Sequence, residues 1–177
     1  MQPKEELLKA IRLRHSPRAF ADRDVEPAKL ELLFESARWA ASCFNDQPWG
    51  FVYATRDDQQ AYGRLLECLG EFNQAWAGAA PVLMLSVARM SFAHNGQPNR
   101  HAWHDVGLAM GNLSVQASEL GLVLHQMAGF DVEKARALGL PEGHEPVAMT
   151  ALGYQGDPAT LSDALREKET APRSRNS

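Results

Sequence analysis

The sequence predicts a three-layer α+β or α/β domain, and three observations lead there. Four apolar runs of strand length alternate with about six helical patterns along the chain. One run, PVLMLSVA at 81–88, is apolar on both faces, as a strand central in a sheet must be. With 177 residues, 45% of them hydrophobic, the chain can bury such a core as a single domain over 1–177.

The elements follow in order. PKEELLKAIRLR (3–14) sets Leu7, Leu8 and Ile11 on one helical face, with Pro3 able to start the helix. It should stop near His15, because Ser16 precedes Pro17 and the residue before a proline is pushed out of the α region. A second helix reads from Pro27 to Ala41, its Leu30, Leu33, Phe34, Ala37 and Ala41 spaced as one apolar face. GFVYATR (50–56) reads as a strand, and Asp57-Asp58 are suited to opening the next helix, which carries Tyr62, Leu65, Leu66 and Leu69 and breaks at Gly70. After the central strand, SFAHNGQPNRH (91–101) is the most loop-like stretch. The longest helix spans about 102–120, with Trp103, Val106, Ala109, Met110, Leu113, Ala117 and Leu120 on its apolar face and Gly121 placed to end it. The strand LVLHQM follows, then Asp131 as the N-cap of a short helix, the strand PVAMTALGY, and a polar tail with a helix from Ser162.

Composition narrows the function. No run of about 18 apolar residues is present and the N-terminus lacks an apolar signal core, so a soluble cytoplasmic protein with no membrane partner is expected. Cys43 and Cys68 are not spaced as a zinc or redox pair and are expected as free thiols. The net charge of -4 hides an asymmetry. Residues 1–20 carry five Lys/Arg against two Glu, and residues 171–177 add Arg173 and Arg175, which leaves residues 21–170 at -9. An acidic body argues against nucleic acid, yet permits a local site for one phosphate.

Three constellations could carry chemistry. RHSPRAF supplies Arg14, Ser16 and Arg18 at a helix end, where guanidinium forks and a hydroxyl suit phosphate oxygens. The same arginines could equally serve as helix-end charges on free carbonyls. SCFNDQPW (42–49) offers Asn45 and Gln47, whose amides can read a planar heterocycle or form an Asx turn. In HQMAGFD (125–131), Gly129 lies between strand and helix, where backbone can approach a ligand or simply turn. His94, His101, His104 and Asp105 cluster in sequence, but their spacing lacks a third ligand, so no metal is expected. The 91–101 loop could shape substrate entry instead.

Taken in order, RHSPRAF, SCFNDQPW, AGFD, ALGY and APRSR resemble the nitroreductase family of flavin enzymes, and the likeness spans nearly the whole chain. It implies an α+β fold with a mixed central β-sheet between helices, and an intimate homodimer with the long helix at its interface and FMN in each interface site. By the same likeness, Arg14, His15, Ser16 and Arg18 bind the flavin phosphate and pyrimidine. Ser42, Asn45 and Gln47 reach the partner's flavin, Asn73 faces the ring, Met127, Ala128 and Gly129 approach N5 by backbone, and Arg173 and Arg175 hold the phosphate.

Two departures stand out. Ala128 occupies a position where some members have glutamate, and Trp76 one where others have lysine, which shifts charge stabilisation at the ring toward Arg14 or Arg18. The activity implied is an FMN-dependent NAD(P)H oxidoreductase, drawing on NADH or NADPH and reducing nitroaromatic, quinone or similar electron-poor acceptors. The alternative is a flavin-storing or flavin-sensing protein of the same fold. No nucleophile or catalytic dyad is expected, because the flavin carries the chemistry.

Overall fold

The computed structural model describes residues 6–175. Strands β1 (Trp49–Thr55), β2 (Val82–Arg89), β3 (Val123–Met127) and β4 (His144–Gly153) form one sheet in the order β1-β2-β4-β3. Every pairing in it is antiparallel, where a mixed sheet was expected. The position of β4 explains the difference. β2 and β3 do run in the same direction, but β4 lies between them and opposes both. Along β4 the register shifts at Val147, next to Pro146, which has no N–H to give the ladder.

Among the described residues, seven α-helices accompany the sheet: α1 (Lys9–Leu13), α2 (Pro27–Arg38), α3 (Gln59–Cys68), α4 (Glu71–Ala77), α5 (Ala102–Glu119), α6 (Val132–Arg136) and α7 (Asp163–Thr170). The caps follow local chemistry. Asp58 accepts from the Ala61 N–H at 3.0 Å, and Asp131 accepts from the Glu133 and Lys134 N–H groups at 2.9 and 3.1 Å. Gly121 closes α5 at φ +72°, a conformation that costs glycine nothing.

The three layers arise from the twofold alternation of β2. Leu83, Leu85 and Val87 face one core, closed by Tyr62 and Leu65 of α3, Trp76 and Ala77 of α4, Ala135 of α6 and Leu165 of α7. Val82, Met84 and Ala88 face the other, closed by α2 through Leu30 and Leu33 and by α5 through Val106, Met110 and Leu113.

The first helix is shorter than its pattern suggests, and its expected start at Pro3 lies outside the described residues. Leu7 and Leu8 precede it and, with Ile11 and Leu13, are exposed, Leu8 at 69%. A five-residue helix has little stability of its own and needs a surface for its apolar face.

Candidate functional site

Pro17 bars α1 from continuing, and Arg14–Phe20 runs outside any helix, bending at Arg18, until Phe20 bridges Gln155 beyond the end of β4. α7 carries the C-terminal tail back to that same segment. The two meet around a cleft of about 280 Å³ whose lining includes Arg14, Ser16, Arg18, Lys168, Arg173 and Arg175. Both basic ends of an acidic chain therefore converge at one place.

Within the cleft, the Arg14 Nη1 donates to Ser16 Oγ at 3.4 Å. Arg173 donates from Nη1 to the Arg12 carbonyl at 3.0 Å and from Nη2 to the Arg14 carbonyl at 2.7 Å. The helix-end role considered for the RHSPRAF arginines thus belongs to Arg173, 159 residues away from Arg14. Burial, and then the charges of Arg173 and Arg175, push the Arg14 guanidinium below its ordinary pKa. Like charges held together in this way form a site that an anion relieves.

Arg18 is engaged differently. Its Nη1 lies 3.9 Å from Glu169, and its guanidinium carbon stands 5.9 Å from the centre of the Trp76 ring. His15 lines the cleft, but its ring nitrogens lie 3.1 Å from the Leu13 carbonyl and 3.0 Å from Gln155 Oε1. It ties the segment to the end of the sheet.

A second pair of expected site residues also meets. Asn73 Nδ2 donates to the Gly129 carbonyl at 3.0 Å, and a Cβ on Gly129 would lie 2.8 Å from that same nitrogen. The glycine permits the close approach of α4 to the chain leaving β3. Ala128 and Gly129 are exposed there, while the Met127 side chain is buried in the core, so only its backbone is available to a ligand.

Ser42, Asn45 and Gln47 stand together away from the cleft's lining. Ser42 Oγ accepts from the Gln47 N–H at 3.0 Å, and Gln47 Nε2 donates to Asn45 Oδ1 at 3.3 Å. Phe44, Asn45 and Gln47 all have φ near +50°, which is unusual for phenylalanine and glutamine. A buried carboxylate imposes this shape. Asp46 accepts from Arg89 Nη2 at 2.9 Å, the Ala93 N–H at 2.8 Å and Asn99 Nδ2 at 3.4 Å. Burial would raise its pKa, but those donors outweigh burial and hold it below the usual carboxylate value. Asp105 adds a second tether, accepting from the Cys43 N–H at 2.9 Å and lying 3.0 Å from His104 Nδ1. The acid of HAWHD thus serves this loop, and among the described residues no three His, Cys, Asp or Glu side chains are placed to share a metal ion.

Sequence reasoning missed Asp46 and Glu169. Only Asp46 had a local signal, as the acid inside SCFNDQPW. Trp76 is 2% exposed and packs against His125, ring centres 4.6 Å apart. Burial lowers the His125 pKa, opposed by its bond to the Pro17 carbonyl at 2.9 Å. The folded protein therefore binds this proton less readily than the unfolded chain does. Its contribution is full above the unfolded histidine value of about 6.5 and is lost as pH falls through the lower folded value. The thermal midpoint should drop as pH falls below about 6.5, and His125→Gln should make that drop shallower. An equally steep drop in the variant assigns the pH dependence to other groups.

An antiparallel sheet covered on both faces by helices, with one cationic cleft where the termini converge, defines an α+β protein equipped to attract an anion. The nitroreductase family model matches residues 11–69 and 68–154, and the chain belongs to the nitroreductase family. A protein from Xanthomonas oryzae pv. oryzae, named provisionally as an NADH dehydrogenase/NAD(P)H nitroreductase, is 33% identical over 173 residues, covering 85% of each chain. A 15.4 kDa protein of unassigned function from Mycolicibacterium smegmatis is 41% identical over 101 residues, covering 57% of this chain and 67% of that one. Among solved structures, an oxidoreductase containing FMN superposes with a TM-score of 0.87 at 34% identity, covering 95% of this chain and 87% of the other.

Proposed function

We propose that this chain is an FMN-dependent NAD(P)H oxidoreductase that reduces nitroaromatic, quinone or similar electron-poor small molecules by a ping-pong mechanism. One observation carries the reading: Arg14, Arg173 and Arg175, from opposite ends of the chain, converge on one cleft. Its donors suit a phosphomonoester, with forks from Arg14 and Arg175, the Ser16 hydroxyl and the Lys168 ammonium. The solved relative described as containing FMN and the relative named for NAD(P)H and nitroreductase activity support the same assignment.

Bound FMN would supply the two-electron chemistry, taking hydride from NADH or NADPH and passing reducing equivalents to the acceptor. The chain's own tasks are binding, orientation and electrostatics. Arg14 has no carboxylate partner among the described residues, so its charge is available to an anionic ligand, whereas Arg18 shares its charge with Glu169. Asn73 is held against Gly129, which fixes the exposed Ala128–Gly129 backbone as an edge for a planar ring. Phe44 is 82% exposed and meets Phe92 and His94 with ring centres 5.8 and 6.0 Å away, an aromatic surface suited to flat acceptors.

The homodimer belongs to the same proposal. Leu7, Leu8 and Ile11 supply exposed apolar area at and before α1. More lies on α5, where Trp103 and Leu108 are exposed beside Gly107 and Gly111, whose Cβ positions are open. Ser42, Asn45 and Gln47 lie outside the cleft of their own chain, consistent with a role toward a second copy. No helix among the described residues is long and apolar enough to cross a membrane, and Cys43 and Cys68 are free, as a cytoplasmic enzyme would have them.

The test is spectroscopic. Purified protein supplemented with FMN should show flavin absorption that survives desalting and bleaches with NAD(P)H under nitrogen, then returns when a quinone or nitroaromatic is added. Protein that remains colourless overturns the proposal. Retained flavin that never bleaches favours flavin storage instead.

A further inference from the structure

Glu169, near the end of α7, is a carboxylate only 6% exposed, set at the edge of a cationic cleft. A buried carboxylate needs donors, and these come from the opposite end of the chain. The Arg18 N–H lies 2.9 Å from both Oε1 and Oε2, the Ala19 N–H lies 3.3 Å from Oε1, and the Arg18 guanidinium faces Oε2. The Ala19 carbonyl in turn accepts from the Gly156 N–H at 2.9 Å. The arginine segment is therefore pinned on one side by the chain after β4 and on the other by the tail.

Arg173 lies four positions after Glu169, at most about 14 Å of extended chain. Anchoring Glu169 thus confines Arg173 to the neighbourhood of the Arg12 and Arg14 carbonyls, on which it docks. The Arg18 and Ala19 N–H groups are thus committed to Glu169 rather than to an anion. We infer that Glu169 is a positioning residue for the phosphate of the bound flavin, a clamp that holds the two arginine-bearing termini in one arrangement; this rests on the FMN reading above.

The sign of the effect separates a clamp from a mere charge. Coulomb's law alone predicts that removing a carboxylate beside a phosphate site tightens phosphate binding. A clamp predicts the reverse.

The experiment measures the dissociation constants of FMN and riboflavin, by quenching of flavin fluorescence, for wild type, Glu169→Ala and Glu169→Gln. Glu169→Ala should bind FMN about tenfold more weakly, with riboflavin affinity changed less than about twofold, since the arrangement that Glu169 holds serves the phosphate. Glu169→Gln keeps an oxygen for the Arg18 N–H and should stay within about threefold of wild type for FMN. In an Arg173→Ala background, Glu169→Ala should cost less than it does alone, because the two act through one arrangement.

Unchanged or tighter FMN binding by Glu169→Ala overturns the clamp, as does an equal loss for both flavins. Should Glu169→Ala fail to fold, Glu169→Asp carries the same comparison, since it keeps the charge but withdraws it by one methylene. Loss of FMN alone supports the clamp, and equal loss of both flavins overturns it. A wild-type protein that binds neither flavin overturns the FMN reading along with the clamp. A wild type that prefers FMN, with variants that do not change, overturns the clamp alone.

Discussion

Arg14→Ala is expected to weaken FMN binding by about 10- to 100-fold while leaving riboflavin affinity within about twofold of wild type. A hydrogen bond to a charged group is worth about 1.5–3 kcal/mol, and each 1.4 kcal/mol is about tenfold in affinity. Arg14 lies at the upper part of that range for three reasons. It is half-buried, its charge lacks a carboxylate partner among the described residues, and Ser16 orients its fork. Arg14→Lys keeps the charge without the planar fork and should recover only part of the loss. Titration against both flavins checks this. Riboflavin affinity that falls as far as FMN affinity removes Arg14 from the phosphate site.

Trp76→Ala should produce the largest loss of stability. The side chain is 2% exposed, lies over Phe20 with near-parallel rings 6.4 Å apart, packs against His125 and stands under the Arg18 guanidinium. Truncating a buried tryptophan costs about 3–5 kcal/mol, which in a chain of this size lowers the thermal midpoint by about 6–20 °C. Trp76→Phe should cost much less. It retains most of the packing and removes a buried indole N–H that finds no partner among the described residues. Melting followed by circular dichroism distinguishes the two, and equal destabilisation would mean that ring size matters less than the indole itself.

Trp76 also shows how a departure from the family pattern is accommodated. It stands where other members have lysine, and the structure buries it in the core beneath Arg18. The nearby positive charge comes from Arg18, and Glu169 shares it. Nothing in DALREKET distinguishes Glu169 from its neighbours Glu167 and Asp163, which are exposed. Its role follows from a contact 151 residues away. His15 is similar, since its partner Gln155 is 140 residues distant.

Local chemistry was sufficient for much of the rest. The N-caps at Asp58 and Asp131, the stop at Gly121 and the span of α5 were all written in short stretches of sequence, because capping and periodicity act within a turn or two. β2 could be identified as central for a related reason, since a strand covered on both sides carries apolar residues on both of its faces. The charge asymmetry of the two ends was legible as well, and the fold brings those two ends together at one cleft.

By itself, then, the sequence determined the layers, most element boundaries and the family likeness, which depend on patterns shared by neighbouring residues. Tertiary structure alone decided that β4 lies between β2 and β3, making the sheet antiparallel, and that Arg173 rather than Arg14 or Arg18 occupies the carbonyls at the end of α1. It also decided that buried carboxylates at Asp46 and Glu169 hold the two loops that carry the candidate site. These are choices among partners far apart in the chain, and burial and geometry settle them only once the layers have packed.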